Sequence, residues 1–418
     1  MTRRKSILKN KTKLSLASVY LTFFVDNLCW SIVFPIFAPY FLNADNPLFS
    51  ASVSTATRTM FLGLFLMAFS LGQFIGAPII GDYADRTGRR RALLVTIPCT
   101  LMGLLLTAWS MQSYHLGFLF LGRLITGIFA SNGSICLAAI SDLSENKTDK
   151  TKNFSHFSVL AGVSFVVGAF VGGKLSDPTI STSFSPELPI WLSGILCAFN
   201  FIFVFFGFSE TIHIDTSKKL SLFPCFKNIK IALLTKKIHN IYAIYFLFVF
   251  SWTILLQFIP VVMIQRYGFT GSNIGDLALY VGVCWSLGSG YLKPWLLSFF
   301  SYSHLLKIVF AISLVFLSFL TYTTHIYNML GLLGICVLSG AIIWPLCTWI
   351  ISNLAPKQMQ GKILSISQSI QAFAITLSSI IGGISFKWSI HIPFLIAALA
   401  ILLAGSIFWT HDFEKESA

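Results

Sequence analysis

Apolar residues run through this chain in long stretches, broken at short intervals by clusters of charge, glycine and proline. About 20 apolar residues span a bilayer as a helix. Read between the breaks, the pattern predicts twelve helical spans: 16–42, 57–83, 91–112, 115–140, 154–175, 188–209, 238–265, 273–298, 303–323, 327–353, 362–385 and 389–409. The longest polar break, 210–237, lies near the middle. It divides the chain into an N-terminal six-helix half, 1–209, a basic linker, 210–237, and a C-terminal six-helix half, 238–418. The expected fold is therefore an all-α membrane protein of twelve transmembrane helices.

Composition agrees. The chain is 55% hydrophobic with 41 phenylalanines and a mean hydropathy of +0.78, too apolar to cover a water-exposed surface. The first apolar stretch is about twice the length of a signal-peptide core and has no small-residue cleavage site after it, so it reads as an uncleaved span. Lysine and arginine test the layout, because they gather in cytoplasmic loops. With the N-terminus inside, 24 of the 29 fall in the inside segments or in the span ends that border them; the others are Arg58, Arg123, Lys174, Arg266 and Lys387. That alternation supports an even number of spans with both termini cytoplasmic. It also accounts for the net charge of +14 without nucleic acid, since there is no basic soluble domain to bind it. The eight cysteines are scattered without a CxxC pair, so neither a disulfide framework nor a metal site is expected.

Weak self-similarity relates the halves. GAFVGG (168–173) in span 5 parallels SSIIGG (378–383) in span 11, and AAISDLS (138–144) after span 4 parallels WIISNLA (349–355) after span 10. Similar offsets in corresponding spans point to a duplicated six-helix unit, a build common in transporters with a site between the repeats.

The most charged short stretch, GDYADRTGRRRALL (81–94), connects spans 2 and 3. Gly88 suits a positive-φ turn. Asp85 and Arg89 sit at the membrane edge, where charges are costly unless paired. The run Gly81-Asp82-Tyr83-Ala84-Asp85-Arg86-Thr87-Gly88-Arg89-Arg90 closely resembles the signature loop of the major facilitator superfamily, departing only at Tyr83, where the family has leucine. Span 1, with Asp26 followed by Pro35 and Pro39, resembles the first span of the drug:proton antiporter branch, which includes tetracycline exporters. LGRLITGIFASNGSICLAAISDL resembles its span-4 motif, with Arg123 at the buried arginine position and Asp142 at the end. FSET (208–211) resembles the acid closing span 6, here Glu210, and QGKI (360–363) the entry to span 11. Span 5 departs, because Ala169 stands where the exporter motif has proline. The resemblance implies two pseudo-symmetric halves and a conformational latch made of Gly81, Asp85, Arg86, Gly88, Arg89, Asp142 and Gly361. In it, Asp85 accepts from backbone N–H groups near Gln360 and Gly361 at the start of span 11, where a helix N-terminus favours a carboxylate. Arg89 pairs with Asp142.

Asp26 is the only acid deep in a predicted span, about ten residues or roughly 15 Å from the cytoplasmic end. A carboxyl at that depth exchanges its proton according to burial and neighbouring charge, as a proton carrier must. Arg123 is its candidate partner in coupling. Of the neutral polar residues in spans, Asn27, Gln257 and Gln371 are the candidates for lining a cavity, and Trp252 for stacking on a substrate; Trp285 and Trp344 could stack likewise. No P-loop, HExxH or GxSxG is present, so catalysis, ATP hydrolysis, a metal and a cofactor are not expected. The expectation is a monomeric, proton-coupled transporter in the bacterial inner (plasma) membrane, working by alternating access. Its partners are protons, lipid and a small molecule. Export of a drug, siderophore or metabolite leads, and the alternative is proton-symport import of a nutrient.

Overall fold

The computed structural model describes residues 2–130, 132–144, 146–211, 239–354 and 360–411, and for 2–11, 147, 151 and 360–365 the backbone alone. The basic linker, apart from its first two residues, lies outside the described residues. Every regular element among them is helical. Among the described residues each expected span coincides with helix, and ten of these are long and apolar enough to cross a membrane. The other two are span 8 and the serine-rich span 11, Gln360–Ser385. Span 8 runs as Gly271–Leu287, a π-helical turn Gly288–Leu292 and a short helix Lys293–Leu297.

Span 1 is two helices, Thr2–Ser31 and Phe34–Leu42. The break precedes Pro35, whose ring excludes the carbonyl four residues earlier and which donates no N–H. Span 2, Thr55–Thr87, runs four residues past its expected end. Residues 81–87 are thus helix and not turn, and Gly88 alone joins them to span 3, Arg89–Ser113. Span 4 divides into Leu116–Phe129 and Asn132–Leu143. Span 5, Lys147–Leu175, starts a turn or more before its apolar run, with the Asn146 side chain capping it by accepting from Asp149 N at 2.8 Å. Span 6 is Leu188–Gly207, span 7 His239–Tyr267, span 9 Tyr302–Phe319, span 10 Ile326–Asn353 and span 12 Ile392–Thr410.

Two compact units emerge: residues 1–37 with 68–224, and residues 38–67 with 225–418. In the first, span 3 packs on spans 4 and 6, and span 1 on spans 4, 5 and 6. In the second, span 9 packs on spans 10 and 12, and span 7 on spans 10, 11 and 12. Adding six to each number in the first set gives the second set, so the sequence repeat is also a repeat of packing. The glycines of the repeat motif explain part of it. A Cβ on Gly172 would lie 2.5 Å from the Ile32 carbonyl oxygen of span 1, while one on Gly382 would strike the Phe258 ring of span 7. Span 5 therefore keeps its close approach to span 1 with Ala169 in place of a proline.

Large apolar side chains lie outward: Phe206 is 80% exposed and Tyr327 84%. Rings so exposed fit a lipid surround and not water.

In the second unit, Arg266 at the end of span 7 donates to the Thr321 carbonyl and approaches His391 Nε2 at 3.3 Å. His391 Nδ1 lies 2.9 Å from Thr321 Oγ1, and its ring stacks on Tyr322 at 4.5 Å. An arginine donor leaves Nε2 as an acceptor, so the ring is neutral here. Burial, then the Arg266 charge, push its pKa below the ordinary histidine value of 6.5. With the folded value below the unfolded one, the unfolded chain binds more protons between the two. Stability contributed by neutral His391 is then full above the unfolded value and is lost as pH falls through it toward the folded value. The melting temperature is expected to drop between pH 7.5 and 5.5 in the parent protein, and to drop less in His391→Gln; equal drops would refute this.

Candidate functional site

Two groups of polar residues stand out in the first unit, one at the end of span 2 and one within the bundle. At the first, Gly88 has φ 103°, a backbone region that residues with a side chain rarely adopt. This turn lets Arg89 reach back one helical turn. Its Nη1 donates to Asp85 Oδ1 at 2.5 Å, and its Nε lies 3.6 Å from Asp142 Oδ2 at the end of span 4. Thr211 Oγ1 donates to the same Asp142 oxygen at 3.2 Å. Glu210 completes the arrangement. Its Oε1 accepts from Arg89 N at 2.9 Å and its Oε2 from Arg90 N at 3.1 Å. The carboxylate therefore caps span 3 from the end of span 6, at a helix terminus that favours negative charge. Arg90 donates from Nη2 to the Phe205 carbonyl at 2.7 Å, fixing the same corner.

These contacts join the ends of spans 2, 3, 4 and 6 into one charged cluster. Glu210, legible in the sequence as the acid closing span 6, accepts two of these bonds. The FSET match was the available signal. Asp85 is 47% exposed at its side chain, and a Cβ on Gly81 would meet nothing within 4 Å. Arg86 has its Nε buried without a hydrogen-bond partner among the described residues. The surroundings of Gln360 and Gly361 lie outside the described residues. Gly88→Ala is expected to lower stability by about 1–2 kcal/mol, because a Cβ there is both strained and directed into the Glu210 carboxylate. Thermal unfolding in detergent would read this as a lower melting temperature, and an unchanged one would count against the capping role.

Within the bundle, Asp26 of span 1 accepts from Asn132 Nδ2 of span 4 at 3.0 Å. Asn132 Oδ1 in turn accepts from Thr96 Oγ1 of span 3 at 2.5 Å. Thr22 Oγ1, one turn below Asp26, meets Asn200 Oδ1 of span 6 at 3.0 Å. Four spans thus contribute uncharged polar groups around one carboxyl. Asn132 is placed to matter by the break in span 4, since it opens the second helix of that span. Arg123 is 4% exposed, with its guanidinium carbon 4.5 Å from the Phe69 ring centroid and 5.7 Å from that of Phe37. Ring faces stabilise a cation away from water. Asn27 donates to the Phe23 carbonyl of its own helix at 3.0 Å.

In the second unit, Trp252, Trp285 and Trp344 come together, with ring centroids 5.0 Å apart for the first pair and 6.2 Å for the second. A Cβ on Gly340 would overlap the Trp252 ring, so glycine admits the indole against span 10. Tyr245 stands edge-on to Trp344 at 5.9 Å and donates to Gln371 Oε1 at 3.2 Å. Gln257 accepts from Ser379 Oγ at 2.8 Å, between spans 7 and 11. Of the cavity candidates, Trp252 and Gln371 therefore join one aromatic cluster, while Gln257 serves a helix contact. Among the described residues no three His, Cys, Asp or Glu side chains gather as a metal site.

Comparison with known proteins gives these sites a context. A model of the Major Facilitator Superfamily matches residues 19–341. A tetracycline resistance protein, class B, of Escherichia coli is 31% identical over 149 residues, 36% of this chain and 35% of that protein. The chain thus aligns with only about a third of the length of the tetracycline resistance proteins of classes D and B. Multidrug resistance protein 2 of Bacillus subtilis is 21% identical over 366 residues, 85% of this chain and 88% of that protein. The crystal structure of a D-xylose-proton symporter superposes with a TM-score of 0.74 at 17% identity, over 94% of this chain and 97% of that one, which is a likeness of fold. This is a multi-pass membrane protein and not an enzyme, and the chain belongs to the major facilitator superfamily.

Proposed function

We propose that the protein is a proton-coupled secondary active transporter that exports a small molecule by alternating access. The observation that carries this is Asp26: a carboxyl within a span, bonded to Asn132 and surrounded by hydroxyl and amide groups from three other spans. Such a group can take up and release a proton while the polar neighbours hold it in place. Arg123, a buried cation on span 4, is the second member of the coupling pair. The cluster of Asp85, Arg89 and Asp142, with Gly81, Arg86 and Gly88, is the conformational latch. Its contacts form in one state and break in another, a bistable element biased by a few kcal/mol at most. Trp252, with Gln371, supplies the substrate surface of the second unit. Export is favoured over import by relatives named for tetracycline and multidrug resistance. The distribution of lysine and arginine supports cytoplasmic termini in an inner membrane.

The test is accumulation of ethidium and of tetracycline in a pump-deficient bacterium, with and without a protonophore. Lower accumulation that the protonophore abolishes supports proton-driven export. Higher accumulation with the same dependence would turn the reading to proton symport, the direction that Ala169 in span 5 favours.

A further inference from the structure

Spans 1, 3, 4 and 6 leave a cavity of about 10 Å³ beside Asp26, lined by Thr22, Asp26, Thr100, Asn132, Cys197 and Asn200 among others. That volume is on the order of one water. Thr100 is 6% exposed, yet its Oγ1 has no hydrogen-bond partner among the described residues. This is unusual within its own helix. Thr107 and Ser110 of span 3 both donate to the carbonyl four residues earlier, at 2.8 and 2.5 Å. Thr100 does not, and it lines the cavity instead. A buried hydroxyl left without a partner costs about 1–3 kcal/mol. A water in a polar cavity of this size, touching two to four polar groups, removes that cost.

We propose that this cavity binds one structural water between Thr100 Oγ1 and the Asp26 carboxyl, and that Thr100 positions it as the proton-exchange partner of Asp26. The proposal rests on the proton-carrier reading of Asp26. In loading, an O–H bond of the protonated water breaks and an O–H bond forms on the Asp26 carboxylate, leaving neutral water; release reverses the step. Thr100 keeps its own proton throughout and acts through the water. Asn200 and Thr22, bonded to each other at 3.0 Å, line the same cavity. The titratable groups facing Asp26 from the packed elements are the thiols of Cys29 on span 1, Cys136 on span 4 and Cys197 on span 6.

The experiment is pH-induced infrared difference spectroscopy on the purified full chain in lipid, which needs no known substrate. Asp26→Asn identifies the carboxyl band, and exchange into oxygen-18 water identifies bound-water O–H bands. Thr100→Val, nearly isosteric, is expected to remove one water band and to move the Asp26 titration midpoint by about one pH unit, the scale of one hydrogen bond to a charged group. Thr100→Ser restores both, which a purely structural role would not require. Spectra of Thr100→Val that match the parent in water band and midpoint overturn the proposal. Loss of the water band with an unmoved midpoint keeps the water and removes its role in proton exchange. A carboxyl band that never titrates would instead defeat the proton-carrier reading itself, while the water band still reports on the site.

Discussion

Asp26→Asn is expected to reduce protonophore-sensitive efflux to the level of cells lacking the protein, the largest functional effect of any single substitution considered. Asparagine has the shape of aspartate, and its Oδ1 can still accept from Asn132 Nδ2, the bond that aligns spans 1 and 4. What it cannot do is bind and release a proton. The prediction therefore separates energy coupling from transport itself. Exchange of substrate across vesicles with no proton gradient should stay within about threefold of the parent, less than about 0.7 kcal/mol. Efflux that survives the substitution would remove Asp26 from the coupling path. Loss of both efflux and exchange, in protein that is folded and inserted, would make Asp26 a structural residue.

The largest structural effect is expected where spans 2 and 4 cross. A Cβ on Gly76 would fall on the Ile128 carbonyl, and one on Gly127 on the Phe69 carbonyl. Both obstacles are backbone, held by helical hydrogen bonds, so neither can rotate away. Valine at either position has to push the helices apart, and with them the Arg123 guanidinium from the Phe69 ring. Overpacking a core by one or a few methylenes costs about 1–3 kcal/mol, and a backbone obstacle lies at or beyond the upper end. Gly76→Val and Gly127→Val should each lower the melting temperature in detergent by at least about 5 °C, or yield no monodisperse protein. Gly117→Ala and Gly162→Ala, where an added Cβ meets nothing within 4 Å, serve as controls and should melt like the parent. Valine variants that also melt like the parent would mean the crossing is looser than described.

The spans were legible in the sequence because apolar length and the alternation of lysine and arginine are both one-dimensional signals. The repeat was legible for the same reason, as a fixed offset between GAFVGG and SSIIGG that reappears as matching neighbours in the two units. The helix through Gly81–Thr87 was not. Its charge density reads as a loop, yet Ala84, Asp85 and Arg86 continue span 2 to the one residue that cannot, Gly88 at positive φ. The partners of Asp26 were hidden for another reason. In a helix that is apolar all round, periodicity does not mark the inward face. Asn132 and Thr100 are therefore recognised only once spans 3 and 4 are turned toward span 1. Glu210 lay between these cases: its type and place were readable, but its job depends on span 6 ending beside the start of span 3.

The glycine contacts carry a further consequence, for how such a chain can change over generations. Where a glycine faces a side chain, as Gly340 faces Trp252, a larger residue at one position can be offset by a smaller one at the other. Such pairs can trade volume, and a lineage can reshape that wall in two steps. Where a glycine faces backbone, as Gly76 and Gly127 do, there is no smaller residue to offer in return. The aromatic wall of the second unit is free to diverge with whatever it meets, while the crossing of spans 2 and 4 can be inherited only unaltered.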